Sequence, residues 1–138
     1  MDTMRAEIYP QLDLNQSPAR RVAAYATAEK REGTVGNGFL ELHIALQDKQ
    51  HGRATCTCKG TGEAFRLHFA PQHLWLADGP LDRGHARING FEAQNTAQAA
   101  RLTAQISYGP FHMEVSYVAQ RGQTYLQKFM VIHGIQHP

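Results

Sequence analysis

The sequence predicts an all-β fold, an antiparallel β-sandwich, and three observations carry that expectation. Apolar and polar residues alternate in separate stretches, such as Leu40, Leu42, Ile44 and Leu46 around Glu41 and His43. The same holds for Phe65, Leu67 and Phe69, for Leu102 through Tyr108 and for Phe111 through Tyr117, and a last strand over 126–132 has Phe129 and Val131 on one face and Lys128, Met130 and Ile132 on the other. A period of two puts each set on one face of a strand. Turn residues then punctuate these runs at intervals of about 8–12 residues, as in short-stranded sandwiches. Finally, 138 residues with 42% apolar and 19% charged content suffice for one globular domain with a single core.

Residues 1–33 read as an N-terminal segment that is irregular or forms a short helix or strand, and 34–138 as the sandwich. Ile8, Tyr9, Leu12 and Leu14 are isolated apolar points broken by Pro10. Ser17 and Pro18 suit the N-cap and first position of a helix over 19–32. Residues 21–26 fit a short strand as well, and Val22, Tyr25 and Ala26 match a helical spacing, so both readings stand. Gly36-Asn37-Gly38 predicts a sharp turn, because glycine accepts positive φ without steric cost. Residues 53–59, with alternating Thr and Cys, form the next strand. Phe65, Leu67 and Phe69 form another, with their apolar side chains inward. After Pro71, residues 73–77 continue the sheet as an edge, and 78–84 are loop by composition. Residues 86–91 are a short strand, and 92–100 a short helix or solvated strand. Gly109-Pro110 joins two alternating runs into a hairpin. The last strand, 126–132, has no closing element after it. It therefore predicts an unpaired edge, explained by truncation of a longer chain or by pairing with another one.

The charge balance is +2, from 14 basic and 12 acidic residues. Lys30-Arg31 and Arg20-Arg21 are the only adjacent basic pairs, which makes no electrostatic case for nucleic acid or an anionic membrane. No apolar run reaches the ~20 residues of a membrane helix. Met1-Asp2-Thr3-Met4-Arg5 lacks a secretory pattern, so the cytoplasm is the expected compartment. Cys56 and Cys58 fall on one strand face, a poor geometry for a disulfide, and read as buried reduced thiols; half a metal site is the alternative. The eight histidines show no metal-binding spacing, and neither a metal nor a cofactor is expected. No nucleophile elbow or phosphate loop is present. Sequence pairs none of the carboxylates as a glycosidase would require. Trp75 either fills the core or stacks on a sugar. In the second case Trp75, Asp78 and Arg83 form a carbohydrate-binding set, an aromatic plane beside a charged loop.

Three short motifs carry a family resemblance. Thr34-Val35-Gly36-Asn37-Gly38-Phe39-Leu40-Glu41 resembles the opening strand of the N-terminal β-sandwich domain of alpha-galactosidase (melibiase)-type glycoside hydrolases, part of the galactose-mutarotase-like group of supersandwiches. Lys59-Gly60-Thr61-Gly62-Glu63-Ala64-Phe65 is similar to the segment before that domain's next strand. Val115-Ser116-Tyr117, Gly122, Tyr125-Leu126-Gln127-Lys128-Phe129 and Ile132 resemble its late hairpin. The chain departs from the pattern at Gln127, where arginine is common, and at His133-Gly134-Ile135. The resemblance implies a non-catalytic domain that supports or lines the sugar site of a catalytic (β/α)8 barrel. The family's catalytic carboxylates lie in that barrel, so no residue here takes a catalytic role. It also implies a galactoside-like carbohydrate, and a missing catalytic domain or a second copy, as partners. Two rival expectations stand beside it. One is a mutarotase- or epimerase-like enzyme using His68 or His112 with Glu114. The other is a ligand-binding sandwich unrelated to sugars.

Overall fold

The computed structural model describes residues 18–70, 75–76, 79–80 and 86–134. The chain enters through one 3-10 turn, Pro18–Arg21, and then becomes extended. In β1 (Tyr25–Ala28) Ala26 turns inward, while Tyr25 lies on the opposite face, where its hydroxyl meets Glu41. That alternation overrides the helical spacing over 19–32: of the two readings open there, a short strand forms, at Tyr25–Ala28, and the helix does not. Ser17, its proposed cap, lies outside the described residues. β2 (Glu32–Gly36), β3 (Leu40–Leu46), β4 (Gly52–Cys58) and β5 (Ala64–Phe69) follow β1 in an antiparallel meander, ordered β1-β2-β3-β4-β5. The first sheet thus already begins ahead of residue 34.

The expected edge over 73–77 is different in the structure. β6 (Trp75–Leu76) pairs only with β7 (Gly79–Pro80), in a two-stranded ribbon separate from both large sheets. The second sheet, ordered β11-β10-β9-β8, comprises β8 (Ala86–Asn95), β9 (Ala99–Tyr108), β10 (Phe111–Gln120) and β11 (Leu126–His133). No helix forms over 92–100. β8 runs through to Asn95, and the turn to β9 is closed by the Thr96 hydroxyl, which accepts the Ala99 N–H at 3.0 Å. Gly109, at φ 58°, makes the expected β9–β10 turn.

The two sheets pack β1 and β2 onto β8, β9 and β10. Val35 and Ile44 of the first sheet share one core with Leu102, Ile106, Tyr108 and Met113 of the second. Gly33 sits on Leu102 so closely that a Cβ would lie 2.5 Å from its Cδ1. Two asparagines tie the sheets together. Asn95 Oδ1 accepts the Ala26 N–H at 2.6 Å and its Nδ2 donates to the Ala26 carbonyl at 2.8 Å, which imitates a ladder rung across the β1–β8 seam. Asn37, fully buried, donates from Nδ2 to the Gln120 and Gln123 carbonyls, both at 2.7 Å, and accepts the N–H groups of Phe39 and Leu40. The reason for the flanking glycines is also different from the expected one. Neither has positive φ. A Cβ on Gly38 would overlap the Ala19 carbonyl, and one on Gly36 would lie 2.8 Å from the Tyr25 hydroxyl.

At the outer strands the core runs out. Of the three residues expected to point inward from β5, only Phe69 is buried; Phe65 is 63% and Leu67 58% exposed. Phe69 meets the second sheet through Phe91 of β8, their ring centroids 6.3 Å apart. β11 forms where expected, but Phe129, Met130, Val131 and Ile132 are all exposed, and β10 is its only strand partner among the described residues. Among these residues no helix is long and apolar enough to cross a membrane.

Candidate functional site

The end of the sandwich where β8 crosses beneath the first sheet carries a cleft of about 590 Å³. β8 is irregular there. Its register with β9 shifts between Ile88 and Gly90, and Gly90 takes φ 152°. A bulge of this kind re-aims the side chains around it. It leaves Asn89 out of the ladder, held by a 2.7 Å bond from its Nδ2 to the Ser107 hydroxyl. The Ile88 N–H donates to the Lys49 carbonyl at 2.6 Å, joining β8 to the β3–β4 turn. Arg31, in the β1–β2 turn, donates from Nη2 to the Gln47 carbonyl at 2.9 Å. Three separate stretches of chain are thereby locked around one cavity.

The charge around that cavity is one-sided. Lys30, Arg31, Lys49 and Arg87 line it, and Asp48 is the one carboxylate among the lining residues. Asp48 is committed to its own turn. It accepts the N–H groups of Gln50 at 2.7 Å and His51 at 2.8 Å, and the His51 ring sits 3.2 Å away. These bonds, led by that from Gln50, hold its carboxyl below the usual range. Among the described residues none of the four cations forms an ion pair with a carboxylate. Leu46 and Ile88 give the cleft an apolar floor, and Gln47 and Asn89 add neutral hydrogen-bonding groups.

The sequence treated these bases as scattered, and along the chain they are. Lys30-Arg31, Lys49 and Arg87 belong to two turns and to the start of a strand, and only the crossing of β8 brings them together. The readable signal was that the bases sit beside turns at strand ends, which a meander stacks at the same pole.

The side chains of the expected carbohydrate set, Trp75, Asp78 and Arg83, fall outside what the structure describes. Trp75 is placed by backbone alone, in β6 opposite Pro80; its side chain, Asp78 and Arg83 lie outside the described residues. The His112–Glu114 pair is not formed. Glu114 meets His133 at 3.1 Å, and His112 is taken by Gln105 at 2.6 Å, on the outward face of the second sheet. Register explains this, since His133 lies directly across from His112 and hence diagonal to Glu114. His68 belongs to the basic end of β5 and has its ring 5.4 Å from that of His51.

Two further clusters carry titratable groups. The Tyr25 hydroxyl donates to Glu41 at 2.6 Å, and Lys59 Nζ donates to that hydroxyl and to the Asn37 carbonyl, both at 2.7 Å. Burial and the Glu41 carboxylate push the tyrosine far above its ordinary range, and the trio braces the Asn37 turn through the Lys59 bond to the Asn37 carbonyl. Cys56 and Cys58 are free but only half-buried, where burial was expected. They share a face of β4 opposite Leu42 and Leu40, outside the central core. Burial, and to a lesser degree Cys58, raises the Cys56 thiol; hydrogen bonds from Thr61 lower that of Cys58. Among the described residues there is no group of three or more His, Cys, Asp and Glu side chains placed to hold a metal ion.

No protein-family model, no curated protein and no solved structure matches this chain.

Proposed function

We propose that the chain is a non-catalytic β-sandwich that binds an anionic carbohydrate in the cleft beneath the β3–β4 turn, in the cytoplasm and in the service of a carbohydrate-active catalytic domain. The observation that carries this reading is the charge asymmetry of the cleft: four cationic residues line a cavity whose one lining carboxylate is already engaged. Its volume falls within the range of small-ligand sites. Arginine and lysine recognise carboxylate or phosphate by charge-assisted hydrogen bonds, and Gln47 and Asn89 suit hydroxyl groups. The carbohydrate part rests on the resemblance of the Gly36-Asn37-Gly38 strand and the late hairpin to the alpha-galactosidase-type domain. The anionic part rests on the cleft.

Titration calorimetry with galacturonate, galactose 6-phosphate and neutral galactose tests the reading. The two acidic sugars bind, the neutral one binds at least about tenfold more weakly, and affinity falls with added salt. Arg87→Gln with Lys49→Gln removes two charge-assisted contacts and weakens the acidic sugars by about 30-fold or more. Equal affinity for galactose, or no loss in the double variant, overturns it.

A further inference from the structure

The cleft does not stand alone. A second depression, of about 220 Å³, lies over β4 and β5 and shares Gln47 with the first. Arg53, Arg66 and His68 line it, and no carboxylate does. The register puts the three on one face: Arg53 is directly opposite His68, and Thr55, two residues on, is opposite Arg66. Across β3, Arg53 faces only Ala45. Arg53 and Arg66 are like charges at diagonal positions of the sheet, which repel, and among the described residues no carboxylate lines the depression to offset them. Among the described residues neither arginine has an ion pair. A surface that gathers unpaired cations next to a basic cleft is destabilised when empty and relieved by an anion.

We infer that the ligand is a short polyanionic oligosaccharide, one acidic unit seated in the first cleft and the chain continuing past Gln47 to Arg53 and Arg66. This rests on the anionic-carbohydrate reading of the first cleft and extends it. From β2 to β5 there are three strand spacings of about 4.8 Å, so the track is on the order of 15 Å long, the reach of a short oligosaccharide rather than a single sugar. A single-stranded nucleic acid has the same charge but needs aromatic platforms for its bases. Among the described residues the only ring lining the two depressions is that of His68. An acidic sugar chain needs cations and hydrogen-bonding side chains, which are what the track offers.

The test compares galacturonic acid with tetragalacturonate by calorimetry on the full chain. The tetramer binds at least about tenfold more tightly than the monomer, beyond the gain from its greater number of end units. Arg53→Gln with Arg66→Gln, both at exposed positions, brings the tetramer to within about threefold of the monomer and leaves monomer affinity unchanged. A tetramer no tighter than a binding monomer, or one whose advantage survives the double variant, overturns the extension and leaves the first cleft's reading intact. No binding by either probe strikes the underlying reading instead. A tetranucleotide that binds more tightly than tetragalacturonate overturns the sugar in favour of nucleic acid.

Discussion

The middle of the sandwich and the outer strands β5 and β11 are alike in apolar content, yet they end in opposite environments. In β2, β9 and β10 the inward residues Val35, Leu102 and Met113 are fully buried, and asparagine side chains bridge to the facing sheet. In β5 and β11 equally apolar residues, Phe65, Leu67, Met130 and Ile132, stay exposed. Alternation specifies which side chains share a face, and only the placement of the second layer decides whether the face is covered. Stability is therefore concentrated where the sheets cross, and the margins are free to serve contacts outside the core. The basic end is such a margin, since Lys49, Arg53 and Arg66 are all exposed there.

The sharpest way to break this contrast is Asn37→Ala. The side chain is completely buried and makes four hydrogen bonds, two of them reaching the turn between β10 and β11. Its removal takes four part-buried hydrogen bonds from one turn and leaves a cavity in their place, at a cost of about 3 kcal/mol. Urea unfolding should show a lower midpoint with an unchanged slope. A loss below about 1 kcal/mol would mean that the Asn37 bonds add little to what holds the two sheets together.

Tyr117 gives a gentler probe of the same region. It packs against the core from β10, and burial pushes its hydroxyl up to about 12. A folded pKa above the unfolded value of ~10 contributes stability that is complete below pH ~10 and is lost as pH rises through the folded value. Wild-type stability should thus fall between pH 10 and about 12. Tyr117→Phe has no hydroxyl to ionise, so its stability curve stays flatter over that window. Parallel alkaline curves for the two proteins would show that Tyr117 is solvated and that the core ends short of it.

Much of this was legible in the chain. Leu42 and Ile44 in β3, the β9–β10 hairpin at Gly109 and the two faces of β11 follow from a two-residue period and turn chemistry, which are local properties. Residues 19–32 misled because Val22, Tyr25 and Ala26 satisfy a helical spacing, while the pull of the core on Ala24 and Ala26 is a tertiary effect. Asn37 stood out as a turn residue, but its bonds to Gln120 and Gln123 cross more than 80 positions and have no local trace. The cleft was invisible for the same reason. Lys30 and Arg87 are far apart in sequence, and the bulge at Ile88 that helps bring them together is set by pairing with Ile106 in β9.

The smallest effect is expected at the outer edge, and its smallness is the point. Phe65 and Leu67 lie opposite Cys56 and Ala54 on the inward face of β5, as Phe69 lies opposite Gly52. Were that face a working part of the core, replacing both with threonine would remove two large buried side chains and several kcal/mol. Because they are 63% and 58% exposed, the transfer free energy lost is small, and threonine suits a strand as well as the residues it replaces. Phe65→Thr with Leu67→Thr should therefore change the unfolding free energy of the isolated chain by no more than about 0.5 kcal/mol. A loss above about 2 kcal/mol would show that the face is covered in solution and that the contrast between middle and margin does not hold at β5.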